Sequence, residues 1–133
     1  MVVIKASEVK SYISPLPYRR ELKVLLSPKI HKTSNLIGMG MVIVQPGEAG
    51  NPHIHQTEQE IWFVISGSGQ LVIGGEVVQL EPELVIVAPP GVPHQIMNKG
   101  KDILKALFIF TPAGPEQPHN LEIVENAISA DHQ

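Results

Sequence analysis

Two short blocks of glycine, histidine and acid limit what this chain can become. In the first, Gly47, His53, His55, Glu60 and Gly67 are separated by five, one, four and six residues. In the second, Pro89, Gly91, His94 and Asn98 are separated by one, two and three. Side chains two apart on an extended segment share a face, so His53 and His55 can converge on one ion. A turn then brings Glu60 to the start of the next strand, where its carboxylate can close a two-histidine, one-carboxylate face. His94 arrives from a distant strand as a fourth ligand. The stiff turn Pro89-Pro90-Gly91-Val92-Pro93 fixes the backbone just ahead of it. Gly67 and Gly91 are expected at positive φ, and Gly47 where the chain bends. Asn98 is expected to tie its amide to backbone rather than to reach a metal.

The segments around these blocks are short and apolar. Strands are expected over Glu21 to Leu26, Leu36 to Val44, Ile61 to Ile65, Gln70 to Ile73, Val77 to Leu80, Leu84 to Ala88 and Ile103 to Thr111, all rich in Val and Ile. Gly74-Gly75 suits a two-residue hairpin. Eleven glycines and twelve prolines, spread along 133 residues, cut the chain into a sandwich or barrel rather than a bundle. Helix is expected only over Leu121 to Ile128, capped by Asn120 and striped by Leu121, Val124 and Ile128. The proline-rich stretch from Thr111 to Pro118 reads as an extended connector.

Composition excludes several functions. Charged residues are 17% of the chain, the net charge is −3, and the arginines are Arg19 and Arg20, so no basic stripe exists for nucleic acid. There is no cysteine, which removes disulfides and thiolate chemistry. No apolar run is long enough to cross a bilayer, and Lys5, Glu8 and Lys10 interrupt the N-terminal one. The expected setting is the cytoplasm, with no membrane partner.

Together the two blocks resemble the paired motifs of the cupin superfamily, over roughly Leu36 to Thr111. The resemblance implies an all-β jelly-roll barrel with a short C-terminal helix. It implies one domain over 1–133: an N-terminal strand segment 1–35, a barrel core of about 36–111 and a tail 112–133. It also assigns His53, His55, Glu60 and His94 to one divalent metal inside the barrel. The family's second motif usually opens with glycine and aspartate, where this chain has Glu83 and Leu84. The Glu81-Pro82-Glu83 turn must then use other backbone angles or hold Glu83 at an unfavourable φ.

Beyond the ligands the residues leave alternatives. Trp62 shares the parity of Glu60 and either borders the metal or fills the core. Gly38-Met39-Gly40-Met41 turns either glycines or methionines inward, so Met39 and Met41 are candidate pocket residues. Phe108 and Phe110 share one face and read as core. At most one of Arg19 and Arg20 can face a ligand, and surface positions are favoured for both. Glu58 and Gln59 read as solvated, Gln95 as pointing away from the metal, and His31, His119 and His132 as loop or tail residues.

The ligand set suits iron, manganese, nickel or zinc. A divalent ion with one carboxylate keeps a net positive charge, which favours a small oxygen-rich organic anion. The leading expectation is a small metalloenzyme of dioxygenase or decarboxylase type, with no catalytic residue evident beyond the ligands. The alternatives are a non-catalytic cupin that binds a sugar or organic acid, and a metal-stabilised structural barrel. Met41-Val42-Ile43-Val44 is apolar on both faces, which together with the resemblance points to a homodimer.

Overall fold

The computed structural model describes residues 1–116. Nine strands follow in order: β1 (Ser11–Ile13), β2 (Glu21–Leu26), β3 (Gly38–Val44), β4 (Gln59–Ser66), β5 (Gly69–Ile73), β6 (Glu76–Leu80), β7 (Val85–Ala88), β8 (His94–Met97) and β9 (Leu104–Thr111). Helix among the described residues is limited to a 3-10 turn at Ala6–Glu8 and one short turn, α1 (Pro28–His31). The expected helix over Leu121 to Ile128 lies outside the described residues, as do Asn120, His119 and His132.

The strands make two antiparallel sheets, a six-stranded one in the order β1-β2-β3-β9-β4-β7 and a three-stranded one in the order β6-β5-β8. Strict alternation decides which way they face. Along β9, Leu104, Ala106, Phe108 and Phe110 are buried and the residues between them are half-buried. Val42 and Val44 of β3 and Trp62 and Val64 of β4 fall on the same inner side, where Leu71, Leu80 and Ile96 of the smaller sheet complete one core. Two sheets packed over a shared apolar layer form the β-barrel architecture that the spacing of turns predicts.

Turn chemistry sets the register. Gly74 and Gly75 both take positive φ and join β5 to β6 with Ile73 opposite Glu76. Gly47, Gly67 and Gly91 also adopt positive φ, at 85°, 82° and 81°. Gly67 has a second constraint, because a Cβ there would run into the backbone of Ile103. Glu83 takes the unfavourable option, φ 69°, while its N–H donates to Val64 O at 2.8 Å.

Expected strands and observed ones differ by at most two residues at their ends. Leu36 and Ile37 are exposed and precede β3. β1 falls in the N-terminal strand segment but is too short for alternation to mark its bounds, and it is held by pairing Tyr12 with Leu22. Among the described residues no helix is long and apolar enough to cross a membrane.

Candidate metal centre

The segment from Gly47 to His55 is sewn onto β8 without being a regular strand. Pro46 and Pro52 have no N–H to give, so the ladder survives only at intervals. Gly47 N–H donates to Asn98 O at 2.8 Å, Asn98 N–H to Glu48 O at 2.9 Å and Gly50 N–H to Ile96 O at 2.9 Å. His53 and His94 then exchange both backbone hydrogen bonds, at 3.0 and 2.9 Å, as an isolated bridge. The extended segment expected to carry His53 and His55 is thus not a regular strand. Their convergence comes from a bridged extended loop. Gly91 N–H, donating to His55 O at 2.8 Å, ties that loop to the proline turn.

This stitching brings four side chains together. The ligand atoms of His53, His55, Glu60 and His94 all lie within 4.8 Å of one another, and Glu60 and His94 are buried. His94 Nε2 sits 2.9 Å from Glu60 Oε1 and 3.1 Å from His53 Nε2, and His55 Nε2 is 3.5 Å from the same Glu60 oxygen. Adjacent donors on one first-row ion at about 2.0–2.2 Å sit about 3 Å apart, so the cluster has the scale of such a site.

The outer nitrogens show which lone pairs point inward. His53 Nδ1 lies 2.8 Å from Asn51 O and His94 Nδ1 lies 3.1 Å from Val92 O. A carbonyl can only accept, so each Nδ1 donates, and in the neutral ring Nε2 is left as a lone pair. His53 and His94 thus aim lone pairs at one another. Glu60 Oε1 and His55 Nε2 are sealed from solvent with no aligned hydrogen bond. Buried acceptors facing acceptors are costly unless a cation lies among them. The residues present fit a divalent metal.

Electrostatics agrees. Burial lowers the His53 pKa to about 4, against the partial support of the Asn51 carbonyl, so the ring is neutral at pH 7 and ready to ligate. Burial pushes the Glu60 carboxyl up; in the metal-free chain, hydrogen bonds and positive charge from His55 and His94, when those rings carry a proton toward it, outweigh burial and hold it below its ordinary value.

The cluster lies in the wall of a cavity of about 870 Å³ whose lining includes Arg20, Asn51, Trp62, Phe108, Phe110 and Glu116. Trp62 is both core and site: buried, it sets its ring edge-on to His94 with centroids 5.1 Å apart. Phe110 meets His55 in the same way at 4.9 Å. Phe108 and Phe110 therefore line the cavity as well as filling the core. Met39 and Met41 do not line it. The glycine face of β3 turns inward, where Phe108 stands over Gly40 and the Glu116 carboxylate over Gly38. The methionines consequently fall on the sheet's other side.

Arg20, Glu58 and Glu116 also border the cavity, contrary to the surface or connector roles read for them. Gln95 does turn away, donating to Gly50 O at 3.0 Å. Asn98 donates to Val44 O at 2.9 Å and Asp102 O at 2.7 Å, bracing the end of β8. His31 stands apart from the cluster, with Nδ1 accepting from Ser27 N–H at 3.0 Å.

A small double-sheet β-barrel with a three-histidine, one-carboxylate cluster facing its cavity defines a class of proteins. Within it, the family model for the cupin domain matches residues 40–110, and the chain belongs to the cupin family. An uncharacterised protein, MJ1618 of Methanocaldococcus jannaschii, is 31% identical over 104 residues, covering 78% of this chain and 81% of that one. The polyketide synthase protein CurC of Streptomyces cyaneus is 28% identical over 72% of this chain, which spans 62% of CurC. Among solved structures, a predicted oxalate decarboxylase from Thermotoga maritima superposes with a TM-score of 0.75 at 23% identity, covering 84% of this chain and all of that one.

Proposed function

We propose that this cupin is a small metalloenzyme of dioxygenase or decarboxylase type, holding one divalent ion through His53, His55, Glu60 and His94 and acting on a small oxygen-rich organic anion. The observation that carries this reading is the convergence of Glu60 Oε1 and His55 Nε2, both buried without a partner, with the Nε2 atoms of His53 and His94, which face one another at 3.1 Å. When bound, the ion supplies Lewis acidity and a template for substrate oxygens. The chain supplies the rest. Asn51 O and Val92 O hold the tautomers of His53 and His94. Trp62, Phe108 and Phe110 keep one wall apolar and restrict water. The name of one relative, a polyketide synthase protein, refers to an oxygen-rich class of compounds, which supports the substrate class.

Elemental analysis of protein purified without added metal tests the site and chooses among iron, manganese, nickel and zinc. Oxygen uptake or carbon dioxide release by that sample then tests turnover. Metal and anion binding with neither gas signal would make the protein a non-catalytic binder. Absence of metal would end both readings.

The assembly we propose is a cytoplasmic homodimer. On the outer side of the large sheet, Phe63 is paired with Val85 and Ile61 with Val87, and Val85 is 57% exposed. An apolar face of this kind favours a partner. Light scattering at a monomer's mass would remove the claim.

A further inference from the structure

We propose that Arg20 is a specificity-determining anchor, so that the ligand of this cavity carries two carboxylates, one met at the histidine cluster and the other by the Arg20 guanidinium. The first anchor rests on the metal reading above; the second stands on the geometry of Arg20 alone.

Both backbone groups of Arg20 are fixed by Ser14. Ser14 N–H donates to Arg20 O at 3.0 Å, and Arg20 N–H donates to Ser14 Oγ at 2.9 Å. The side chain lies along Gly50, where a Cβ would come within 2.9 Å of Arg20 Cδ and 3.1 Å of Nε. At its end, Nη1 donates to Asn51 Oδ1 at 3.1 Å. The same Asn51 takes the His53 Nδ1 proton on its backbone carbonyl at 2.8 Å. A single residue therefore orients the guanidinium and one ring of the cluster, and both line the same cavity.

The guanidinium has a neutral hydrogen-bond partner but no ion-paired carboxylate among the described residues. Burial lowers its pKa and the charge of Glu60 across the cavity partly offsets this, so Arg20 remains a cation, half-buried at the cavity wall. Such a group calls for an anion. Glu60 cannot serve once a divalent ion claims it. Glu116 is occupied by the Ser27 hydroxyl at 3.0 Å and the Gly114 N–H at 2.7 Å, and Glu58 accepts from Thr57. The remaining N–H groups of the fork match a carboxylate. A phosphate would bring more acceptors than this largely apolar wall can satisfy. Arg19 is placed otherwise, with Nε 3.7 Å from Glu48 Oε1.

The test is calorimetric titration of the purified holoprotein with succinate and, as a matched monoanion, butyrate, alongside elemental analysis of every variant. Arg20→Gln should weaken succinate about tenfold or more while leaving butyrate and metal content unchanged. Arg20→Lys should recover part of the loss, and Arg19→Gln should behave as wild type. Equal succinate affinity in wild type and Arg20→Gln would overturn the proposal, as would a wild type that does not distinguish succinate from butyrate. Loss of metal in Arg20→Gln would also overturn it, in favour of a support for Asn51 and His53. If wild type holds no metal yet still prefers succinate through Arg20, the metal reading falls and the anchor stands.

Discussion

Glu60 and Glu116 are both buried, at 5% and 2% exposure, and both border the same cavity, yet they differ in what surrounds their oxygens. Each Glu116 oxygen receives a donor: Ser27 Oγ–H reaches Oε2 at 3.0 Å and Gly114 N–H reaches Oε1 at 2.7 Å. Glu60 Oε1 instead faces imidazole nitrogens 2.9 and 3.5 Å away without an aligned hydrogen bond. A buried carboxylate whose donors are all present is a strut. It joins the chain after β9 to the segment after β2. A buried carboxylate whose neighbours are acceptors is incomplete until a cation arrives. Burial alone does not separate the two roles, whereas hydrogen-bond satisfaction does.

The largest effect should come from breaking the incomplete cluster. Removing a group that hydrogen-bonds to a metal ligand typically costs about 10–100-fold in affinity, and removing a ligand should cost more. His94→Ala and His53→Ala should therefore lose most bound metal by elemental analysis. His31→Ala, outside the cluster, should keep it. Equal losses at all three would mean adventitious binding.

Glu116→Ala should give the opposite phenotype. It removes the carboxylate that accepts from the Ser27 hydroxyl and the Gly114 N–H and opens space over Gly38. A cost of about 2–4 kcal/mol in chemical denaturation is expected, with metal content retained per folded molecule. Metal loss in the folded variant would erase the distinction between the carboxylates.

Acid should act on the Glu60 side of the comparison. With its pKa at about 4 in the folded chain, His53 binds fewer protons there than in the unfolded chain, where about 6.5 is normal. The stability of metal-free protein should then rise with pH between these values. A gain of about 2 kcal/mol is expected from pH 5 to pH 7. Glu60, also lowered, contributes stability that is lost as pH falls through its folded value, so both act in the same direction. In the metal-loaded protein, protons compete with the ion as well, and metal still held at pH 4 would argue against histidine ligation.

The incomplete cluster was legible in the sequence and the strut was not, for a physical reason. His53, His55 and Glu60 lie within one turn and its flanks, where spacing determines side-chain direction, and His94 follows a stiff proline turn. Glu116 depends on Ser27, 89 residues away in sequence. Arg20 depends on Asn51, 31 residues away. Contacts at such separations are set by how the sheets fold over, and a local pattern carries no trace of them. The pattern Gly38-Met39-Gly40-Met41 left open which face turns inward; the glycines do, and Glu116 and Phe108 occupy the room they leave.

Glu83 is the smallest test, because it lies outside both carboxylate sites. Its departure from the family's usual glycine limited the turn to two outcomes, and the structure holds it at φ 69°. A side chain in the left-handed region carries strain of about 1 kcal/mol, which glycine would relieve, although glycine adds entropy to the unfolded chain. The N–H that reaches Val64 O at 2.8 Å is kept in either residue. Glu83→Gly should thus raise the denaturation free energy by a few tenths to about 1 kcal/mol, with metal content and the Glu116 strut untouched. A lower midpoint would mean that the Glu83 side chain itself supports the turn, and the family's glycine would then not be interchangeable with it here.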